Sequence, residues 1–168
     1  LMRPMKPKRW LKLAKGNVPI VCAAVSVVLL RWRQSLAQIL LLRRTRPPAG
    51  VWCQVAGGIE ANETAWQTAL REVTEETGLR LAELLSGDFC EQFYEADKDR
   101  IMMLPVFIGV VPPDAEVVLN AEHDAHKWLG YEEADRLLAF LGQRRMLAAV
   151  KAEFIDRQPH ALLRIPIA

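Results

Sequence analysis

Residues 57–79 read GGIEANETAWQTALREVTEETGL, and no other stretch restricts the fold so tightly. Ala65, Trp66, Ala69, Leu70 and Val73 recur at helical spacing and predict a helix that buries their arc. Glu72, Glu75 and Glu76 stand at i, i+3 and i+4, which gathers three carboxylates on an adjoining arc about one turn deep, at the rim of the buried face. Like charges so placed repel by about 0.2–0.5 kcal/mol per pair. A helix that keeps them is either flooded by solvent or holding a cation, and hard oxygen ligands suit Mg2+ or Mn2+. Arg71 stays protonated, and its planar fork can hold a neighbouring carboxylate in place. Gly57 permits close backbone approach to a ligand. Gly78 stands where a helix ends in a residue with positive φ.

Gly57, Glu63, Arg71, Glu72, Glu75, Glu76 and Gly78, at these distances, resemble the signature box of the Nudix hydrolases, with every fixed position filled. A solvated acidic face would explain the acids but not Gly57, Glu63, Arg71 and Gly78 at set spacings. The resemblance implies an α/β chain with the Nudix fold, a mixed-sheet α/β/α sandwich whose box forms a loop, a helix and a loop. It implies catalytic roles for Arg71, Glu72, Glu75 and Glu76. Glu72 and Glu76 would bind Mg2+ directly (Mn2+ as a substitute), with Glu75 as a further or water-mediated ligand. In some relatives the acid matching Glu72 is proposed as the general base instead. Two positions depart from the family's habit. Asn62 replaces a common Gly, which Asn's tolerance of the left-handed region makes mild, and Ala56 replaces Pro or Gly in the wall beside the substrate.

Outside the box, Val51-Trp52-Cys53-Gln54-Val55, the run from Glu122 to Leu129 and the pair Arg43-Arg44 resemble the branch of dihydroneopterin triphosphate and dATP pyrophosphohydrolases. That resemblance implies Glu122 as an additional metal ligand, His123 and Arg43 as substrate contacts, and Ala56 and Gly57 as substrate-side backbone. The implied reaction converts a (deoxy)nucleoside or pterin triphosphate to monophosphate and pyrophosphate. The Glu-His segment ending in Trp-Leu also looks like diadenosine tetraphosphate hydrolases, but their Pro-Lys-Gly-like approach to the box is missing, so the triphosphate is preferred. A ligand-sensing Nudix domain without activity would be expected to have lost box carboxylates, which this chain keeps. His126 reads as surface, while Trp52, Trp66 and Trp128 read as core anchors.

At 168 residues and 51% apolar content, one domain over 17–168 is expected, preceded by a basic tail at 1–16. That tail holds Arg3, Lys6, Lys8, Arg9, Lys12 and Lys15 without an acid and reads as a loose terminus rather than an RNA contact. The net charge of +2 makes no claim on nucleic acid or membrane. The small-molecule partner is a nucleotide or pterin polyphosphate, and exposed strands leave room for a homodimer. Cys22, Cys53 and Cys90 lack a CxxC spacing and read as reduced, mostly buried thiols of a cytoplasmic protein. The apolar run Val18 to Leu30 is shorter than the ~20 residues a membrane span needs and is followed by Arg31-Trp32-Arg33 rather than a cleavage site.

Its valines predict a central strand instead. Further strands are expected at 38–44, 51–55, 81–86, 88–95 and 101–111, with Pro105 marking an edge or a bulge in the last. An extended segment should run to Leu129, and helices are expected at 131–140 and 144–157.

Overall fold

A computed structural model describes residues 16–167, so the basic-tail reading of residues 1–15 lies outside the described residues. The apolar run becomes β1 (Ile20–Val21) and β2 (Ala24–Arg33). Gln34 and Ser35, both at positive φ, turn the chain into β3 (Leu36–Arg44), with Arg33 opposite Leu36. Two consecutive left-handed residues suit the twist of a two-residue hairpin. Side chains of β2 alternate between two cores: Val25, Val27 and Leu29 enter one, Val28 and Leu30 the other. Burial on both faces explains why the run shows no polar alternation.

Past Leu30 and Ile39 the hairpin splays, and a returning segment fills the gap. β4 (Trp52–Cys53) pairs with β3, and β5 (Val55–Gly58) pairs with β2. Gln54 sits at the seam between them. On the other side of β2 lies β7 (Arg100–Val110), parallel to it and antiparallel to β6 (Glu83–Glu95). β8 (His123–Leu129) borders β3, β1 borders β7, and β9 (Arg164–Ile165) borders β6. The sheet is therefore mixed.

Helix α1 (Ala65–Thr77) packs on one face, burying Ala69 and Val73 with Ala65, Trp66 and Leu70 alongside. Helices α2 (Tyr131–Leu137) and α3 (Leu141–Val150) cover the other with Ala134, Met146, Leu147 and Val150. The result is the expected α/β/α arrangement. Thr64 and Gln67 close α1 with a capping box: the Gln67 N–H donates to Thr64 Oγ1 at 3.3 Å and the Thr64 N–H to Gln67 Oε1 at 2.9 Å. Such a cap contributes about 1 kcal/mol. Gly78, at φ 66°, ends the helix with its N–H on the Thr74 carbonyl. Asn62 takes the left-handed conformation at φ 67°.

Several expectations change. The strands expected at 81–86 and 88–95 form one strand, β6, whose register against β7 slips between Ser86 and Cys90. Pro105 stands opposite Cys90 at that slip, and on its other flank it falls between the β1 and β2 pairings. It is thus a bulge proline inside the sheet, placed where no ladder needs its missing N–H. The last helix begins three residues earlier than expected and widens into a π turn over Lys151–Ile155. Cys22 and Cys90 are exposed, and only Cys53 is buried; Cys22 lies in the break between β1 and β2, and Cys90 stands where the β6–β7 register resumes opposite Pro105. Among the described residues no helix is long and apolar enough to cross a membrane.

Burial pushes the Cys53 thiol up to about 12, so little of it ionises. A thiol-reactive dye at pH 8 is expected to modify Cys22 and Cys90 in the folded protein and Cys53 only after denaturation. Rapid native labelling of all three, followed by peptide mapping, would contradict the packing described.

Candidate active site

Arg71 organises the acidic end of α1. Its Nε and Nη2 donate to Glu63 Oε1 and Oε2 at 2.9 and 3.0 Å, a fork-to-fork pair. Nη2 also donates to the Gly58 carbonyl at 2.9 Å, and Nη1 reaches Glu72 at 2.6 Å and Glu75 at 3.2 Å. Thr68 Oγ1 and the Glu60 N–H add two more donors to Glu63. The Arg71 guanidinium, then Thr68, holds the Glu63 carboxyl down at about 2. The loop before the helix is thereby tied to the helix itself.

Glu72 and Glu76 lie on the side of α1 that faces β5. Glu72 lies over Gly57: a Cβ added there would stand 1.9 Å from Glu72 Cδ. Gly57 has no positive φ, so the position requires glycine for space and not for backbone conformation. Burial raises the Glu72 carboxyl above its ordinary range, and Arg71 opposes this. Glu76 is more deeply placed, only 3% exposed, and not at the rim as the helical arc suggested. Its Oε2 is buried without a hydrogen-bond partner. Burial first, then the charges of Glu72 and Glu122, push Glu76 up to about 8.

His123, at the start of β8, is buried rather than exposed, and its Nδ1 stands 3.8 Å from Glu76 Oε2. That is too long for a hydrogen bond. Burial and the nearby Arg44 lower its pKa. Glu122 precedes it, with Oε1 held by Arg46 Nη1 at 2.8 Å.

Ala56, Glu76, Glu122 and His123 line one cavity of about 760 Å³, which also receives Arg44, Gln54, Glu91 and Gln143. Arg43 does not line it. Adjacent residues of β3 point to opposite faces, and Arg43 is turned to Asp124 at 2.7 Å beside the Trp52 ring. Arg44 takes the inward position, with its Nε buried and unpaired. Choosing between two successive arginines requires the pleat of β3, which the sequence alone does not phase. Gln54 was present in the quoted run but carried no role there, and Gln143 had no signal at all. Trp128 is half-buried under Arg31, 4.3 Å from its ring centre, and His126 is exposed.

The donor set suits a hard divalent cation: all oxygen, several carboxylates, one of them desolvated and unpaired. As they stand, no three His, Cys, Asp or Glu side chains among the described residues converge into a finished cage. Arg71 Nη1 is bonded to one oxygen of Glu72 and Arg46 Nη1 to one oxygen of Glu122, so both acids already have a cationic partner.

Comparison with known proteins places this arrangement. Residues 22–156 match the family model described as NUDIX domain. Over 138 residues the chain is 36% identical to an octanoyltransferase of Myxococcus xanthus, covering 81% of this chain and 38% of that one. It is 36% identical over 91 residues to an asymmetrical bis(5'-nucleosyl)-tetraphosphatase of Rattus norvegicus, covering 53% of this chain and 62% of the relative. A dihydroneopterin triphosphate diphosphatase of Escherichia coli is 29% identical over 135 residues, covering 73% and 89%. Among solved structures, a C. elegans Ap4A hydrolase binary complex superposes with a TM-score of 0.69 at 25% identity, covering 79% of this chain and 96% of that one. The chain thus spans less than two thirds of the length of the first two relatives. With the family model running from Cys22 to Asp156 and the box geometry inside it, the chain belongs to the NUDIX domain family.

Proposed function

We propose that this domain is a pyrophosphohydrolase dependent on Mg2+, with Mn2+ as a substitute, that cleaves a (deoxy)nucleoside or pterin triphosphate to monophosphate and pyrophosphate. The observation that carries the reading is Glu76. A buried carboxyl with an unpaired oxygen, pressed by Glu72 and Glu122, is a costly arrangement for stability alone, and such costs concentrate at functional sites. A cation bound by Glu72, Glu76 and Glu122 would relieve it, with Glu75 as an outer partner. Such an ion supplies Lewis-acid charge and an activated water. The chain's own residues do the rest. Arg71 positions Glu72 and anchors the Gly58 loop, and Gly57 leaves room for the Glu72 carboxylate. Arg44, not Arg43, would meet the polyphosphate, and His123 walls the site beside it.

A second reading is hydrolysis of a dinucleoside tetraphosphate, favoured by the tetraphosphatase and Ap4A hydrolase relatives. A product-resolved screen in Mg2+ over dNTPs, GTP, dihydroneopterin triphosphate and diadenosine tetraphosphate separates the two. Pyrophosphate plus a monophosphate is the expected product pair, reduced at least 100-fold in kcat by Glu76→Gln with the fold retained. Nucleoside triphosphate released from the dinucleotide, with triphosphates untouched, would replace the leading reading by the second. The absence of any metal-dependent turnover would remove both.

Gly57→Ala forces the Glu72 carboxyl aside, a flexible group that can move, so the fold should survive with a small stability change. Metal-dependent activity should nevertheless fall by at least tenfold, read as a higher Mg2+ requirement. Wild-type metal dependence in this variant would argue against the role given to Glu72.

The Glu76 carboxyl, raised from about 4.5 to about 8, binds its proton more tightly in the folded state than in the unfolded one. Its contribution to stability is therefore fully present below the unfolded value and is lost as pH rises toward 8. Without divalent metal, urea midpoints should fall across pH 5–8, and Glu76→Gln should flatten that slope. A cation must displace the same proton, so Mg2+ should stabilise the protein more at pH 8.5 than at pH 6.

A further inference from the structure

The cavity has a second polar lining that the box does not contribute. Gln54 from the β4–β5 seam, Glu91 from β6 and Gln143 from α3 are 5%, 5% and 7% exposed. Gln54 Nε2 donates to Glu91 Oε2 at 3.0 Å and to Ser26 Oγ at 2.8 Å. Burial raises the Glu91 carboxyl above its ordinary range; in its ionised form it only accepts, so the Gln54 amide turns its nitrogen toward Glu91 and its oxygen away. That oxygen accepts from Gln143 Nε2 at 3.1 Å. The Gln143 amide is thereby oriented in turn, leaving its Oε1 as a buried acceptor with no hydrogen-bond partner. Glu91 keeps acceptor capacity beyond the Gln54 bond, since a carboxylate offers about four lone-pair sites. One carboxylate thus fixes the direction of two amides and presents a wall made of acceptors.

Around this wall the cavity is rimmed by Phe93, Tyr94, Phe140 and Leu141, which are 41%, 55%, 52% and 54% exposed. Exposed aromatic groups around a concave site suit a flat ring, whose edge is then read by a few placed polar atoms. Glu76, Glu122 and Arg44 line the same cavity, so a ring seated here could carry its phosphates to the acids.

We infer that Glu91 and Gln143 set the specificity of this site, accepting from a heterocycle that presents a ring N–H beside an exocyclic amine, the edge shared by guanine and pterins. The inference rests on the polyphosphate hydrolase reading and names its substrate class. Adenine places a ring lone pair where Glu91 needs a donor, and hypoxanthine lacks the amine. An acceptor left buried and unmatched penalises both.

The test uses the folded protein in Mg2+ and two readouts. Calorimetric binding of the 5'-monophosphates of guanosine, inosine and adenosine reports recognition without turnover. Hydrolysis of the corresponding triphosphates, with dihydroneopterin triphosphate added, separates KM from kcat and distinguishes guanine from pterin as the source of the edge. Guanosine monophosphate should bind at least tenfold more tightly than the other two, the discrimination expected for a hydrogen bond to a charged group. Gln143→Leu and Glu91→Gln should each collapse that preference and raise KM for the preferred triphosphate, with kcat within about threefold. Gln143→Leu keeps the volume and leaves the Gln54–Glu91 bond in place, so it tests the wall even where Glu91→Gln fails to fold. Equal binding of the three nucleotides, or a preference for adenosine, overturns the inference while leaving hydrolysis standing. Selective guanosine binding without any turnover supports the wall and overturns the hydrolase reading instead.

Discussion

The fork-to-fork pair between Arg71 and Glu63 is the interaction on which the acidic end of this domain depends. Helix α1 alone would present its carboxylates wherever their rotamers fell. The Arg71 guanidinium spends its donors on Glu63, Glu72, Glu75 and the Gly58 carbonyl, so one planar group fixes a loop, a strand end and two acids together. The pair is mostly shielded, with side chains 22% and 15% exposed, so solvent screens it less than a surface pair. By contrast, the Arg46–Glu122 pair is open, at 68% and 46%, and holds Glu122 weakly. The site therefore has one rigid wall, from α1, and one adjustable wall, from the approach to β8.

The box residues were legible because their spacing has no simpler cause. Glu63, Arg71 and Gly78 have no role in a merely solvated helix, and the structure gives each a contact or a conformation that only its residue type supplies. The mixed α/β/α sandwich was implied by the resemblance, and the apolar run at β2, too long and uniform to be half-exposed, was legible only as a central strand. What could not be read was phase. Whether Arg43 or Arg44 faces the cavity depends on which way the pleat of β3 falls, a matter of pairing with β2, β4 and β8. The join of two expected strands into β6 depends on a register slip that tolerates Pro105, and local sequence reads a slip as a break.

Burial was the other invisible quantity. The helical arc set Glu76 at a margin, but in the structure it is a buried acid, with His123 at the start of β8 3.8 Å away. His123 changes environment in the same way. The Glu91–Gln54–Gln143 chain joins residues up to 89 positions apart, and no local pattern predicts that three polar side chains from a seam, a strand and a helix will meet. Such a network also restricts amide rotation, which makes the inner wall chemically defined instead of merely polar.

The place of β7 in the sheet has a consequence for how the domain is made. β2 carries six consecutive buried residues, Val25–Leu30, yet its parallel neighbour is not synthesised until residues 106–110, some eighty positions later. The β2–β3 hairpin can form early, but one edge of its most apolar strand stays unpaired while α1 and β6 emerge. Parallel pairing across such a separation is intrinsically slow, and an unpaired apolar edge is a template for other chains. During translation the vulnerable interval of this protein thus lies between the completion of β2 and the arrival of Val106, and yield in a cell will depend more on that delay than on the stability of the finished sandwich.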